Sequence, residues 1–152
     1  LPPFIRDVAN ILPNVVIHSE QEYYDYMENA EMHDFSLNSF PFGCYNVLIE
    51  SLYMGLPFIT MYGDRFYNRA GMRLNEQVGL EENNYPTARG FIQGAAELIL
   101  DPEKLKRQRQ HLADIDLKDR LFTLKGKHFL EAVNYMIANH PFEETKLIGE
   151  TE

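Results

Sequence analysis

The sequence predicts an α/β fold, with a partial Rossmann-like parallel sheet of about three strands, helices on both faces and a helical C-terminal half. Its first half alternates short apolar runs with helical segments over short connections, and that alternation favours a parallel sheet. Its second half carries helical periodicity without another strand pattern. At 45% hydrophobic composition, the 152 residues can bury a core.

Three short segments are predicted to be strands. The first is the β-branched run Val15-Val16-Ile17, which is typical of a short buried strand. The second covers residues 34–38 and the third residues 58–62, and Gly63 ends the third. Three strands are few for such a sheet, and the chain begins Leu1-Pro2-Pro3 without a Met. We therefore expect that this α/β domain is truncated at its N-terminus.

Helical segments connect and follow these strands. We predict them over residues 3–11, 19–30, 45–54, 65–78, 87–100, 102–113 and 122–139. Ser19 with Glu22 has the spacing of a capping box, and Thr87 is a second candidate N-cap. Gly79 closes the fourth segment, and Pro102 fits the first turn of the sixth.

Composition and charge exclude several function classes. The chain has 14 Lys and Arg against 23 Asp and Glu, a net charge of -9, which disfavours nucleic acid or anionic membranes as partners. It contains no apolar run near the 18 or so residues of a membrane span. The single cysteine, Cys44, excludes an internal disulfide, and there is no signal-peptide pattern. A cytoplasmic location is the simplest expectation.

Ligands of open α/β sheets bind outside the carboxyl ends of the strands, and two segments lie there. One is His18–Gln21 and the other is Asn38–Asn46. In the second, Gly43 permits close backbone approach, and the helix that follows offers unpaired amides to an anion. Those amides belong to Tyr45, Asn46 and Val47. An ordinary strand-to-helix connection explains the same pattern.

The individual side chains at this edge also allow two interpretations each. Glu50 is placed to accept hydrogen bonds from a ribose diol, or it is a solvated helix residue. His18 is either a ligand contact or a structural histidine. Cys44 is interpreted as a small packed residue rather than a nucleophile.

Other motifs of site chemistry are missing or weak. Asp114-Ile115-Asp116 has the DxD pattern of a metal-diphosphate site, but it ends a helix far from the predicted ligand edge. No residue set has zinc spacing, and the glycine-rich phosphate motifs and the GxSxG elbow are absent from the sequence. We therefore expect no metal site.

A family resemblance rests on LPNVVIHS and on DFSLNSFPFGCYNVLIESLYMGLPFITMYGDRFYNRAGMRLNEQVGL. Both stretches resemble the C-terminal nucleotide-sugar-binding lobe of two-lobe, GT-B-type glycosyltransferases. The similarity is greatest to the group of O-GlcNAc transferase and the bacterial cytoplasmic adhesin N-glucosyltransferases. It covers roughly residues 10 to 80.

The resemblance implies a UDP-sugar donor, an inverting transfer to a protein side chain (Asn or Ser/Thr), and neither a metal nor a cofactor. It places FPFGCYN under the diphosphate, with Gly43 to Val47 as the contacts, and His18 and Ser19 beside the uracil. Glu50 falls where the family usually has a ribose-binding Asp, and Tyr45 where O-GlcNAc transferase has a His. The retaining relatives have a Glu where this chain has Phe42, which disfavours retention.

The resemblance also implies partners outside the chain. The acceptor site and any general base would lie on a missing N-terminal lobe, so no catalytic residue is assigned and the fragment alone is expected to be inactive. The acceptor would be a protein, for which a bacterial adhesin is one candidate. We expect residues 1–141 to form the lobe and 142–152 to form a disordered acidic tail. The alternatives are a same-fold epimerase, a lipid or polysaccharide glycosyltransferase, and a non-catalytic binding module of a secretion system.

Overall fold

The computed structural model describes residues 7, 10–12, 14–123 and 126–139. The chain divides into two compact units, Leu1–Leu117 and Lys118–Glu152. The helices are α1 (Tyr23–Glu31), α2 (Tyr45–Tyr53), α3 (Ala70–Val78), α4 (Ala88–Leu100), α5 (Pro102–Asp114), α6 (Leu117–Phe122) and α7 (Gly126–Asn139). The strands are β1 (Ser36–Leu37), β2 (Phe58–Met61) and β3 (Asn84–Tyr85).

The described residues of the first unit contain a three-stranded parallel sheet in the order β1-β2-β3. Ser36 is in register with Phe58, and Thr60 with Asn84. The central strand β2 is buried over its first three residues, and α2, α3 and α4 all contact it. The predicted fold class, an α/β fold with about three parallel strands, is confirmed.

The first predicted strand is wrong, and a strand that the sequence analysis missed takes its place in the sheet. Val15-Val16-Ile17 has no strand assignment, and Val16 is 75% exposed. β-propensity alone does not make a strand, because the run must also pair with a sheet edge. The missed strand, β3, is polar and is held partly by side chains. Asn75 Nδ2 donates to Asn84 Oδ1 (2.9 Å), and Asn84 Nδ2 donates to the Met72 carbonyl (3.2 Å).

The starts of α1 and α3 also differ from the prediction. α1 begins at Tyr23, with Glu22 rather than Ser19 at the N-cap position and without a side-chain capping bond. Residues 65–69 do not join α3, since a 3-10 turn covers Phe66–Asn68. Here Asn68 Oδ1 accepts from the Gly63 amide (3.2 Å), and such local side-chain bonds compete with helix.

The end of α3 and the starts of α4 and α5 follow local signals in the sequence. Thr87 caps α4, because its hydroxyl accepts from the Gly90 amide at 3.1 Å. Gly79 ends α3 in the left-handed conformation at φ 78°, and Pro102 opens α5. The last helix begins at Gly126 rather than Phe122, which instead ends α6.

Several predictions fall on the margins of the chain. Asp7, Asn10 and Ile11 are helical, and the rest of the segment predicted over residues 3–11 lies outside the described residues. The acidic tail predicted over residues 142–152 also lies outside them.

Candidate functional site

The loop after β1 is held against the sheet by the side chain of Asn38. This buried amide donates from Nδ2 to Thr60 Oγ1 (2.9 Å) and accepts at Oδ1 from the Cys44 amide (3.3 Å). A Cβ on Gly43 would lie 2.9 Å from Asn38 Nδ2, and a Cβ on Gly71 in α3 would lie 2.7 Å from it. A side chain at either position would therefore displace the Asn38 amide, and the close approach at Gly43 is made to Asn38.

The same loop has further internal contacts. Ser39 Oγ donates to the Phe42 carbonyl (2.6 Å) and lies 3.6 Å from Cys44 Sγ. The Phe42 ring stacks on the Tyr67 ring, with centroids 4.7 Å apart and planes 23° apart. These contacts define the shape of the segment that leads into α2.

The amino end of α2 presents unpaired backbone donors. The first helical bond runs from the Leu48 amide to the Cys44 carbonyl (3.0 Å), so the amides of Tyr45, Asn46 and Val47 have no acceptor within the helix. All three residues are exposed, and no acidic residue lies in the first turn of α2. The positive end of the helix dipole is therefore open to an anion.

A cleft of about 390 Å³ lies beside this helix. It is lined by residues of the segment before α1 and of α1, β1 and α2, together with their connections: His18, Gln21, Tyr26, Asn29, Ala30, His33, Phe35, Ser36, Leu37, Val47, Ser51 and Leu56. The structure thus brings His18 and Val47 to one cavity, although they are far apart in sequence. Ser19 is exposed and is not among the lining residues.

Three of the polar side chains that line this cleft contact one another. Gln21 Nε2 lies 3.5 Å from His18 Nδ1, and Gln21 Oε1 accepts from Asn29 Nδ2 at 3.3 Å. Neither Gln21 nor Asn29 belongs to a motif that the sequence alone would indicate. Amides of this kind offer both donors and acceptors, which suits recognition of a flat polar ring.

Glu50 lies on the second turn of α2 and contacts α1. Its Oε1 accepts a hydrogen bond from the Tyr23 hydroxyl at 3.2 Å. That hydrogen bond to Glu50 raises the pKa of Tyr23 above its usual 10.0. Burial raises the pKa of the neighbouring Tyr26, and the charge of Glu50 adds to the effect. The sequence predicts a helix around both tyrosines but does not indicate this polar contact with α2.

The DxD segment, residues 114–116, is far from these residues in sequence. It lies at the end of a different helix, α5. Asp114 ends α5 and accepts a hydrogen bond from Gln110 Nε2 (2.8 Å). Within the described ranges, no three His, Cys, Asp or Glu side chains are grouped where they could hold a metal ion. None of the helices described is both long and apolar enough to cross a membrane.

The chain is similar to known proteins both in sequence and in fold. No family model matches the chain. Three proteins named as probable UDP-N-acetylglucosamine–peptide N-acetylglucosaminyltransferase SPINDLY match it. The tomato protein is 30% identical over 113 residues (74% of this chain), the Arabidopsis thaliana protein 32% over 107 residues (70%) and the barley protein 32% over 95 residues (62%). The chain spans only 10 to 12% of the length of these relatives.

A solved structure supports the same relationship. A mutant O-GlcNAc transferase of Thermobaculum terrenum matches with a TM-score of 0.66 and 26% identity, over 78% of this chain and 22% of that one. The resemblance to O-GlcNAc transferases that the sequence motifs predicted is therefore confirmed. In sequence and in fold, this chain is similar to a segment of O-GlcNAc transferases and their SPINDLY relatives.

Proposed function

We propose that the chain is most of the C-terminal UDP-sugar-binding lobe of a glycosyltransferase of this type. The relatives are named for transfer from UDP-N-acetylglucosamine to peptides, which supports a UDP-sugar donor and a protein acceptor. Because the chain spans about a tenth of those relatives, the transfer activity is proposed for a longer protein. The chain alone would bind the donor but would not transfer the sugar.

The observation that carries this proposal is the open amino end of α2, the helix that also carries Glu50 and helps to line the cleft. The amides of Tyr45, Asn46 and Val47 would bind the diphosphate, next to Gly43 and Cys44 in the preceding loop. Glu50 lies four residues beyond Asn46, or about 6 Å along the helix axis, where it would accept from the ribose. The cleft lined by His18 and Val47 would hold the uracil. The diphosphate, the ribose and the uracil of UDP would thus each have suitable binding groups on or beside α2.

This arrangement suits a metal-independent inverting reaction. An acceptor side chain would attack the anomeric carbon from the face opposite UDP, and the bond from that carbon to the diphosphate oxygen would break. The leaving UDP gains negative charge, which oriented amides and the helix dipole stabilise without reorganisation. The proton of the acceptor would pass to a base that we place outside this chain.

The acceptor is proposed at the level of its class. The names of the relatives support a peptide rather than a lipid, a polysaccharide or a free sugar. An Asn or Ser/Thr side chain in the acceptor, an adhesin as that acceptor, and a cytoplasmic location stay predictions from the sequence.

Titration of the isotopically labelled chain with UDP tests the proposal. We expect saturable amide shifts that centre on residues 43–50 and on His18. Asn46→Ala leaves the backbone amide in place and removes the side chain, which the family resemblance places against UDP, so it should weaken UDP binding and, in the complete protein, lower transfer about tenfold or more. Asn134→Ala, at an exposed position of α7, is the matched control and should change neither. If millimolar UDP produces no saturable shift, the donor-site assignment is wrong.

A further inference from the structure

We propose that Tyr23 is a positioning residue that holds the Glu50 carboxylate in place for the ribose of the bound nucleotide. This inference rests on the proposed function, because it names a new residue for the same donor site. Tyr23 is the first residue of α1 and Glu50 lies on α2, so their hydrogen bond joins two helices that line the cleft. Neither the fold class nor the sequence motifs predict this contact.

The geometry leaves the carboxylate able to bind a diol. An ionised carboxylate has about four acceptor positions, of which the Tyr23 hydroxyl uses one on Oε1. Oε2 has no hydrogen-bond partner among the residues that the structure describes. Two neighbouring ribose hydroxyls can therefore donate to Oε2 and to the remaining position on Oε1.

The chemistry of the phenol maintains this arrangement at neutral pH. The usual pKa of tyrosine, 10.0, already keeps the Tyr23 hydroxyl protonated at neutral pH, and the hydrogen bond to Glu50 raises that pKa further, so the phenol donates to the carboxylate and does not repel it. Tyr26 also faces Glu50, and its pKa is raised by burial and by that carboxylate. Both phenols are therefore neutral when the nucleotide binds.

A glutamate benefits from such a partner more than an aspartate does. Its extra methylene adds a torsion, which a ligand would have to freeze on binding. Glu50 is half-buried, but Tyr23 is 54% exposed, so their hydrogen bond is not part of a buried core. Its effect is to restrict the orientation of the Glu50 carboxylate. A supporting hydrogen bond of this kind preorganises a binding side chain before the ligand arrives.

The test compares UDP with 2′,3′-dideoxy-UDP, which lacks both ribose hydroxyls, by amide-shift titration of the whole chain. Tyr23→Phe should weaken UDP binding about three- to fivefold and leave the dideoxy compound nearly unchanged. Tyr24→Phe is the matched control, because Tyr24 lies next to Tyr23 and is 81% exposed, and it should alter neither affinity. In a Glu50→Ala chain, which has no side-chain acceptor at this position, Tyr23→Phe should add no further loss.

The outcomes separate this inference from the proposed function. Equal weakening of both nucleotides by Tyr23→Phe would mean that Tyr23 only docks α1, and the positioning role would be refuted while the donor site stands. An unchanged UDP affinity in Tyr23→Phe would refute it as well. If the wild-type chain binds no UDP, the donor site and the role of Tyr23 fail together.

Discussion

At the scale of single residues, the buried amide of Asn38 sets a steric limit on its neighbours. A Cβ on Gly71 would lie 2.7 Å from Asn38 Nδ2 and from Thr60 Oγ1. Alanine normally stabilises a helix relative to glycine by up to about 1 kcal/mol. In α3 we expect the opposite sign, because overpacking costs about 1–3 kcal/mol. The free energy of unfolding of Gly71→Ala, measured with urea, checks this.

A matched change isolates the steric effect in Gly71→Ala. Gly126→Ala, at the start of α7, adds a Cβ that meets nothing within 4 Å, while it restricts the unfolded chain in the same way. Gly71 lies in the first compact unit and Gly126 in the second, so amide signals from each unit report the unfolding of the unit that carries the substitution. A Gly71→Ala chain that is as stable as the wild type would show that Asn38 moves aside easily.

The residues of the candidate site differ in how far the sequence could predict them. Gly43 and the amides that follow it carry local signals, because glycine and a helix start are visible in a short window. Asn38 and Thr60 are 22 residues apart, and Tyr23 and Glu50 are 27 residues apart. Such contacts depend on how the elements pack, so spacing within one segment does not indicate them.

At the scale of elements, the start of α4 depends on one hydroxyl. Thr87 Oγ1 accepts from the Gly90 amide at 3.1 Å, which satisfies one of the unpaired donors of the first turn. Thr87→Ala should lower the free energy of unfolding by about 1 kcal/mol. Thr87→Ser retains the hydroxyl and should lose much less. Equal losses for the two variants in thermal denaturation would assign the effect to the lost methyl group instead.

The elements that the sequence predicted well are those with local end signals. Helices α2, α4 and α5 begin and end within a residue or two of their predicted bounds. Gly55 follows the end of α2, and Thr87 and Pro102 mark the starts of α4 and α5. β3 escaped prediction because its two residues, Asn84 and Tyr85, are polar or amphipathic, and because Asn84 is held by the Asn75 side chain and the Met72 carbonyl of α3. Val15-Val16-Ile17 failed for the converse reason, since it has strand composition without a pairing partner among the described residues.

At the scale of the whole molecule, the charge distribution constrains how a diphosphate is bound. Residues 1–100 hold 5 basic and 13 acidic residues. Two of the arginines in this half already have acidic partners: Arg73 pairs with Glu76 (2.7 Å) and Arg69 with Asp64 (3.9 Å). A phosphate group near α2 therefore meets backbone amides within a negative field, which differs from sites built on lysine and arginine.

This difference predicts an unusual salt dependence. Added salt weakens long-range repulsion between the acidic half and UDP, but it affects short-range amide contacts less. Between about 20 and 200 mM KCl, we expect UDP binding to stay constant or to tighten by about two- to threefold. Uridine carries no phosphate and is the matched control, whose affinity should not change with salt. A marked loss of UDP affinity over this range would show that side-chain cations, and not the amides of α2, hold the diphosphate.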